Sequence, residues 1–319
     1  MTPTISRRGF CLGALVSAAA RTAHAADLSG VTLRVGDQVG FNQAKLKAAG
    51  LLNDVPYKIE WSVFPAAVNL HEALKAGAID VGASNDSPMV SAFAGGSTAV
   101  AVSAWASGGR GTSLLVPKNS PIQTIADLRG KTICPTTRGS VAHFLTVGVL
   151  KQAGIPLDAV NLAFLNPIDA GAAFAAGSID AWATWSLYAA RARGQLGARI
   201  LHDGKGINSG YVVNAAAPEA VADPGKRAAI ADFSNRLDRG YEWSRANPAA
   251  HKAWYKTFSR QDDDIVAELY QDEIANRRLA IDDAFLARLR LTYETWVSIG
   301  VLKPGLDLEA HVFRGLAAG

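Results

Sequence analysis

The chain has 319 residues, of which 49% are hydrophobic and 19% are charged. This length suggests about two domains, and the apolar fraction excludes a largely disordered protein. Only two cysteines are present, Cys11 and Cys134, which excludes a disulfide scaffold and a zinc site made of several cysteines. No apolar run reaches the roughly 20 residues that cross a bilayer, so the sequence does not predict an integral membrane protein.

The first 25 residues have the order of a signal peptide. Arg7 and Arg8 are followed by the large apolar Phe10, as in a twin-arginine signal, and an apolar stretch then leads to the small residues Ala23 and Ala25. A basic region, an apolar region and small residues before the cleavage point are the features of an export signal. The alternative is an ordinary amphipathic helix. We predict that residues 1–25 are a cleaved leader and that the protein is periplasmic.

The formal net charge of +4 suggests nucleic-acid binding only while the leader is counted. The leader holds three of the 32 basic residues and no acidic residue, so the rest of the chain has 29 basic and 28 acidic residues, a net charge of +1. These basic residues are scattered among acids without interleaved aromatic residues, so we expect no nucleic-acid partner. Only Cys134 remains after cleavage, which leaves no intrachain disulfide in an oxidising compartment.

An internal repeat organises the chain after the leader. The sequence ALKAGAIDVGAS at 73–84 recurs 100 residues later as AFAAGSIDAWAT at 173–184. Each copy is typical of a helix end, a glycine cap and a short buried strand. Strand patterns that run to Pro65 and Pro167, each followed by a helical pattern, extend the match upstream. Such alternation predicts a mainly parallel sheet covered by helices, here in two copies.

We therefore predict an α/β fold with two similar doubly wound lobes and a cleft between them. The first lobe is expected to comprise 26–110 and 211–319, and the second 111–210. Helices are predicted in the last third of the chain, over 224–247, 262–277 and 282–299. Apolar residues at helical spacing, namely Phe285, Leu289, Tyr293 and Trp296, predict that this helical region packs on the first lobe.

Ligands of open α/β sheets bind beyond the carboxyl ends of the strands, so we expect the site in the cleft between the lobes. The predicted lining residues follow the strand ends of both lobes: Asp37, Gln38, Val39, Phe64, Pro65, Ser84, Asn85, Asp86, Ser87, Thr136, Thr137, Arg138, Gly139, Ser140, Asn166, Trp185 and Ser186.

The best single site in this set is the segment from Thr137 to His143. Gly139 and Ser140 stand just before an apolar helical pattern, and the backbone N–H groups of a helix start favour an anion. Ser140 can add a hydroxyl donor and His143 a ring N–H. The alternatives are that Ser140 only caps the helix and that His143 is a structural histidine.

Two further cleft positions have open roles. Asp86 either pairs with a cationic ligand group or caps the helix that begins near Ser87. Trp185 can form an aromatic wall for an apolar or cationic part of a ligand, whereas Trp182 fits a core position.

Motifs of the common catalytic and cofactor sites are absent from the sequence. No phosphate-binding loop, dinucleotide fingerprint, zinc-protease helix, calcium loop or nucleophile elbow is present. We therefore predict no catalytic residue, no metal and no cofactor. An exported enzyme that uses His143, Asp86 or Asp169 in acid–base chemistry is a rival hypothesis, as is a sensor module.

Several motifs together resemble the periplasmic solute-binding proteins of ABC transporters for aliphatic sulfonates and taurine, with nitrate binders as more distant relatives. The matching segments span essentially the whole chain after the leader: LRVG at 33–36, FPA at 64–66, EALKAGAID at 72–80, LVPK at 115–118, IADLRGK at 125–131, GSVAH at 139–143 and the region 169–185.

The resemblance implies a type II periplasmic binding fold that closes over an oxyanion and delivers it to a membrane permease. It implies that Gly139, Ser140 and His143 hold the sulfonate, and that Gln38, residues 84–86 and Trp185 line the cleft. The sequence departs from the family at Asn85-Asp86-Ser87-Pro88, where Gly-Asp-Ala-Pro is usual, and at 185–188, where Trp-Asp-Pro-Tyr is usual.

From the resemblance we expect a monomeric binding protein for an aliphatic sulfonate or a related small oxyanion. Its expected partners are the permease and ATPase subunits of an ABC importer. Nitrate, an aromatic sulfonate and a sulfate ester are the alternative ligands. The two departures lie in the cleft, so the organic part of the ligand is left open.

Overall fold

The computed structural model describes residues 27–316, and the predicted leader lies outside this part of the chain. Eleven strands are described: β1 Thr32–Gln38, β2 Lys58–Phe64, β3 Val81–Asn85, β4 Val100–Ala106, β5 Thr112–Val116, β6 Thr132–Cys134, β7 Asn161–Leu162, β8 Ala181–Trp185, β9 Arg199–Asp203, β10 Tyr211–Ala216 and β11 Arg277–Leu279. The same residues include eleven α-helices: α1 Phe41–Ala48, α2 Ala67–Lys75, α3 Asp86–Ala94, α4 Val141–Gln152, α5 Pro167–Ala175, α6 Ser186–Leu196, α7 Pro218–Ala222, α8 Pro224–Ala246, α9 Pro248–Ser259, α10 Asp263–Ile274 and α11 Asp283–Ser298.

The strands form two sheets, ordered β11-β4-β10-β3-β1-β2 and β7-β6-β8-β5-β9. We call the first sheet with α1–α3 and α7–α11 the first lobe, and the second sheet with α4–α6 the second lobe. Strands β2-β1-β3 and β7-β6-β8 are parallel, as the repeat predicts. The structure thus has the predicted α/β architecture of two similar lobes.

Each sheet also contains antiparallel strands that the repeat does not predict. The chain passes between the sheets twice, over 107–111 and 204–210. The strand that follows each passage pairs antiparallel with the third parallel strand of the new sheet: β5 with β8, and β10 with β3. Both sheets are therefore mixed, and the two passages lie side by side.

The C-terminal helices largely follow the predictions. Helix α8 ends at Ala246, one residue before the predicted end, and α11 keeps its predicted span to within one residue at each end. The predicted helix 262–277 is too long, because Arg277 begins β11, which pairs with β4. Helix α9 was not predicted; it begins at Pro248, immediately after Asn247, where proline fits the first helical turn.

The predicted apolar face of α11 lies in the core of the first lobe. Phe285, Leu289, Tyr293 and Trp296 are buried together with residues of α3 such as Phe93, which confirms the predicted packing. Trp296 also contacts Phe144 of α4, with ring centroids 5.1 Å apart. The C-terminal helix therefore packs on the first lobe and also contacts the second.

Candidate ligand-binding site

A cavity of about 200 Å³ lies between the two lobes. Its walls come from the β1–α1 turn, the end of β3, both passages, the start of α6 and helices α8–α10. The carboxyl ends of β1, β3 and β8 face it, which is where open α/β sheets bind ligands. Concave sites with a few buried polar groups are the usual place for small molecules.

Strained turns mark the strand ends on this side of the sheets. Of the four non-glycine residues with positive φ among the described residues, three follow β1, β6 and β8: Val39 at 51°, Thr136 at 55° and Ser186 at 44°. Left-handed backbone costs free energy for residues with a Cβ and is found mainly where a site requires it. Val39 and Ser186 line the cavity.

On the first lobe, Asp37 and Gln38 line the cavity as predicted, but both side chains form hydrogen bonds within the protein. The Asp37 carboxylate accepts the backbone N–H groups of Asn42 at 3.1 Å and Gln43 at 2.9 Å, at the start of α1. Burial raises the pKa of Asp37 to about 6, against the effect of these two N–H groups and of Lys45. Gln38 Nε2 donates to the carbonyl of Ala83 at 2.8 Å. The N-terminus of α1 therefore already holds an anion.

Ser84 and Asn85 at the end of β3 also line the cavity. Ser84 Oγ lies 2.8 Å from Nε2 of the buried His71 and donates to the Asn85 carbonyl at 3.1 Å. Burial lowers the pKa of His71 to about 4, so the ring is neutral at pH 7. Asn85 Nδ2 donates to the carbonyl of Tyr211 at 3.1 Å. Both side chains thus join β3 to its surroundings as well as facing the cavity.

Asp86 does not line the cavity, contrary to the prediction. Its carboxylate is buried under α11, where it accepts the hydroxyl of Thr292 at 2.8 Å and the backbone N–H of Ser87 at 2.9 Å. Burial raises its pKa, with these bonds and Arg288 acting in the opposite direction. The side chain therefore joins α3 to α11, although it is not the N-cap of α3, since Asn85 holds that position and forms no side-chain cap bond.

Of the predicted anion segment from Thr137 to His143, only Val141 lines the cavity. Ser140 caps α4, because its Oγ accepts the N–H of His143 at 3.2 Å and donates to the Pro135 carbonyl at 3.1 Å. Gly139, with φ of 78°, lies against Ser91 of α3 so closely that a Cβ would overlap the serine hydroxyl. Thr137 Oγ1 is buried without a hydrogen-bond partner and lies outside the cavity wall.

The His143 ring is part of an aromatic contact between the lobes. Its centroid lies 4.9 Å from the rings of Phe164 and Trp296, and its Nδ1 accepts the N–H of Gly139 at 3.2 Å. Burial lowers its pKa to about 4, assisted by Arg138. The His143 ring therefore lies outside the cavity wall, and its contact with a ligand stays a prediction. From this helix start, only Val141 lines the cavity.

Trp185 lines the cavity as predicted, and Phe64 does not. Trp185 ends β8, and its ring lies edge-on to Tyr188, with centroids 6.0 Å apart. Phe64 packs against the core of the first lobe, while its carbonyl accepts the N–H of Val39 at 3.0 Å. The predicted lining residues Pro65 and Asn166 also lie outside the cavity wall.

Sequence reasoning missed the wall formed by α8–α10. This wall contains two tyrosines, one leucine and three polar or charged residues: Tyr241, Tyr255, Leu269, Asp272, Glu273 and Asn276. The sequence predicts only that the C-terminal helices pack on the first lobe, and it does not predict α9. The concentration of aromatic residues over 241–258 was the available signal, because tyrosines with a polar tip often border sites.

Glu273 is compensated by a buried cation. Its Oε1 lies 2.6 Å from Nζ of Lys45, whose side chain is fully buried. The Lys45 ammonium also lies 3.7 Å from the centroid of the Tyr241 ring, a favourable cation–π distance. The pair joins α1 to α8 and α10 at the base of the cavity.

Asp272 has no such partner among the described residues. Burial raises its pKa to about 6; Arg110 opposes this effect, and the carboxylates of Glu268, Asp203 and Glu273 add to it. Glu268 itself pairs with Arg193 of α6, with a second nitrogen–oxygen contact of 3.0 Å. Asp272 also lines a second cavity of about 200 Å³ that adjoins the first at Ser186 and Leu269.

Asn208 marks the point where the two passages meet. It lines the cavity, and both of its side-chain polar atoms are buried without a hydrogen-bond partner. Its backbone N–H donates to the carbonyl of Gly204 at 2.8 Å, and a Cβ on Gly109 would come within 2.7 Å of its carbonyl oxygen. Buried unpaired amides are rare and point to a missing partner.

The two lobes also contact each other directly. The Tyr188 hydroxyl of the second lobe donates to the Pro65 carbonyl of the first at 3.0 Å, and Arg193 pairs with Glu268. No metal-type cluster of three or more His, Cys, Asp or Glu side chains occurs over residues 27–316. Within the same range, no helix has the length and apolar character needed to span a membrane.

A family model described as NMT1/THI5 like matches residues 63–251, more than half of the chain. The chain belongs to the NMT1/THI5-like family. It is 39% identical over 200 residues to a protein of Escherichia coli strain K12 named as an aliphatic sulfonates-binding protein, a match that covers 61% of this chain and 62% of the relative. The matched region thus spans about three-fifths of that relative's length.

Two solved structures are similar over 88% of this chain. The alkanesulfonate-binding protein SsuA from Xanthomonas axonopodis pv. citri, bound to MOPS, is 25% identical with a TM-score of 0.80 over 98% of its own chain. The periplasmic aliphatic sulphonate binding protein SsuA from Escherichia coli is 28% identical with a TM-score of 0.73 over 92% of its chain. These similarities confirm the resemblance predicted from the sequence motifs.

Proposed function

We propose that this protein is the periplasmic binding component of an ABC importer for a small organosulfonate. The observation that carries the proposal is the cavity between the lobes, where the buried amide of Asn208 has no partner within the described structure. A ligand with hydrogen-bonding oxygens would supply one. The similarity to two sulfonate-binding structures over most of the chain supports the choice of ligand.

The mechanism is capture by closure of the lobes, without a chemical step. The two passages over 107–111 and 204–210 are the only backbone connections between the sheets within residues 27–316, so they act as the hinge. Closure brings α6 against Pro65 and Glu268. The ligand then bridges both lobes, and its binding free energy stabilises the closed form.

The cavity lacks an activated nucleophile among its described residues, which supports binding over catalysis. Ser84 meets His71, but no acid orients the histidine, whose Nδ1 is buried without a partner. Cys134 is buried in β6, where burial raises its thiol pKa, so the reactive thiolate is disfavoured. We therefore propose that the protein is not an enzyme.

The proposal includes the location and the partners. The protein is exported to the periplasm by its leader, acts as a monomer and passes its ligand to permease and ATPase subunits. The twin-arginine type of the leader, like the division into 26–110 with 211–319 and 111–210, is part of the proposal.

Calorimetric titration and thermal unfolding of the purified protein test the ligand class. The panel comprises butanesulfonate, benzenesulfonate, methyl sulfate, nitrate and butanoate. A ligand at about 100 times its Kd adds roughly 2.7 kcal/mol of stability, which raises Tm by several degrees for a chain of this size. We expect a rise with a sulfonate and none with butanoate. Stabilisation by nitrate or butanoate alone would refute the sulfonate assignment.

Two matched variants locate the site. Asn208→Ala removes the unpaired amide from the cavity, and we expect it to weaken sulfonate binding at least tenfold. Asn161→Ala removes an exposed amide from β7 on the second lobe and serves as the control with unchanged affinity. Equal affinities in both variants would place the ligand elsewhere.

A further inference from the structure

A group of charged side chains lies where the two lobes meet, beside the ligand cavity. Both lobes and the first passage contribute to it, and it lines the second cavity of about 200 Å³. We call this group the charged seam; its members are Arg110, Arg193, Asp203, Glu268 and Asp272. Two cations against three carboxylates leave one negative charge in excess. Because the members come from both lobes, this arrangement depends on the lobes being together.

Contacts compensate only part of the charge in the seam. Arg193 of the second lobe pairs with Glu268 of the first, with a nitrogen–oxygen contact of 3.0 Å. Asp203 accepts the backbone N–H of Lys205 at 2.9 Å within the second lobe. The Asp272 carboxylate forms no hydrogen bond or ion pair with any described residue, and Arg110 acts on it only through its charge, from an exposed position.

Asp272 also lines the ligand cavity, where the neighbouring charged groups have other partners. Lys45 pairs with Glu273 at 2.6 Å, and Arg245 of α8 donates to a backbone carbonyl just after α10 at 2.8 Å. Burial raises the pKa of the Tyr255 hydroxyl on α9, so this group stays neutral. The negative charge of Asp272 is therefore not compensated from this side either.

Closure of the lobes changes the surroundings of this one carboxylate. In the closed arrangement Asp272 is shielded from water and lies near Asp203 of the second lobe, and both effects disfavour its charged form. Burial raises the pKa of Asp272 from its ordinary value of 3.8 to about 6, with the neighbouring carboxylates adding to the effect and Arg110 opposing it. When the lobes separate, Asp203 moves away with the second lobe and water reaches α10, so this pKa returns toward its ordinary value.

We propose that closure of the lobes over the ligand takes up a proton at Asp272, so that a lower pH favours the closed form and tightens ligand binding. The inference rests on the proposed closure mechanism and adds a regulation to it. Its sign follows from linkage, because the form that holds a proton more tightly is favoured as the pH falls. An ionised Asp272 also repels a bound sulfonate, which acts in the same direction.

The distance between the lobes, measured by pulsed electron spin resonance, tests this coupling. Nitroxide labels are attached to Val63→Cys on the first lobe and Ile168→Cys on the second, two exposed positions outside both cavities. The native Cys134 is buried. Butanesulfonate, or benzenesulfonate if it binds more tightly, is added at the concentration that closes half of the molecules at pH 7. The ratio of closed to open molecules should rise severalfold at pH 5, and pKa values of 3.8 and about 6 set an upper limit of about tenfold.

Asp272→Asn in the labelled protein then identifies the responsible residue. Other groups that titrate, such as Asp37 and His143, are present in both proteins, so the rise in the parent is divided by the rise in the variant. We expect a quotient of about three or more. Asp264→Asn removes an exposed carboxylate from the same helix and should keep the rise of the parent. Circular dichroism and Tm at both pH values establish that the variants fold.

Two further variants test the seam without a change at Asp272. Asp203→Asn removes a carboxylate of the second lobe, so the midpoint of the rise should move to lower pH. Arg110→Gln removes the opposing cation, so the midpoint should move to higher pH. These opposite shifts follow only if charges of the seam act on one carboxylate, and they can be measured even where Asp272→Asn folds poorly.

The outcomes separate this inference from the mechanism on which it rests. An equal dependence on pH in the parent and Asp272→Asn, or equal midpoints in Asp203→Asn and Arg110→Gln, overturns the proton coupling and leaves closure by the ligand intact. A label distance that neither sulfonate shortens at either pH overturns the closure itself and the coupling with it.

Discussion

The two copies of the internal repeat form the same elements but exchange their large side chains. In the first lobe, Leu70 on α2 packs over Gly82 of β3, and a Cβ on that glycine would come within 2.8 Å of the leucine. In the second lobe the matching positions are Ala170 on α5 and Trp182 of β8, which is buried. The helix lies on the sheet in both lobes because a large residue on one element faces a small one on the other.

The shared aspartate of the repeat keeps one role and gains another in the first lobe. Asp80 and Asp180 each accept a backbone N–H from the neighbouring parallel strand, of Arg34 at 2.9 Å and of Thr132 at 2.8 Å. Asp80 alone also pairs with the Arg34 guanidinium at 2.6 Å and Lys226 at 2.9 Å. A repeated motif therefore conserves backbone geometry while its charge environment differs.

The size exchange predicts the largest effect for Trp182→Ala. Deletion of a buried aromatic side chain without a neighbour able to fill the space should lower the free energy of unfolding by about 3–5 kcal/mol. Urea unfolding followed by circular dichroism measures the loss. Trp243→Ala, at a partly exposed indole on α8, is the control and should cost clearly less. A similar small loss in both would show that the second lobe relaxes around the gap.

The charge difference predicts unequal costs for the two aspartates. Burial raises the pKa of Asp80, but the bonds from Arg34 and Lys226 outweigh it and the pKa lies below its ordinary value. Asp80→Ala should cost about 3 kcal/mol, since it removes an acceptor and leaves two cations without their partner. Asp180→Ala loses one backbone hydrogen bond and should cost about 1 kcal/mol. Equal losses in urea unfolding would contradict the added role of Asp80.

The close contact between Leu70 of α2 and Gly82 of β3 predicts an overpacking effect. Gly82→Ala places a methyl group against Leu70 and should cost about 2 kcal/mol. In the Leu70→Ala background the same change should cost much less, because the clash is gone. The coupling free energy from this double-mutant cycle is the measurement. Additive costs would mean that the clash is relieved by backbone movement instead.

His71 of the first lobe corresponds to Gly171 of the second and predicts a small dependence on pH. Its folded pKa of about 4 lies below the ordinary value of 6.5, so the unfolded chain binds the proton first. Stability is therefore lost as pH falls from about 6.5 to 4. His71→Gln keeps an N–H for Ser84 but does not titrate. Relative to the variant, the parent should lose about 2 kcal/mol of unfolding free energy between pH 7 and pH 5. A constant difference would contradict this assignment.

The sequence predicted more of the fold than of the binding site. The repeat, the strand ends and the amphipathic face of α11 are local patterns, and each element they predict is present. The sequence does not predict the antiparallel pairing of β5 and β10, because that pairing depends on where the chain re-enters a sheet. Of the site, Gln38, Ser84, Asn85 and Trp185 line the cavity because they end strands. Of the predicted segment from Gly139 to His143, only Val141 lines the cavity, because Gly139 lies against α3 and the His143 ring lies against α11.

The sequence by itself determined the two α/β lobes, the repeat and the family resemblance. The glycine caps and strand lengths that reveal them depend on residues that are close together in the chain. Only the tertiary structure decided the character of the cavity. Asp272 reaches it from α10 and Asn276 from just after that helix, far along the chain from the strand ends. Whether a carboxylate is compensated depends on distant partners, as Glu273 pairs with Lys45 from 228 residues away. Charge in a cleft is a property of assembled neighbours, which no local pattern contains.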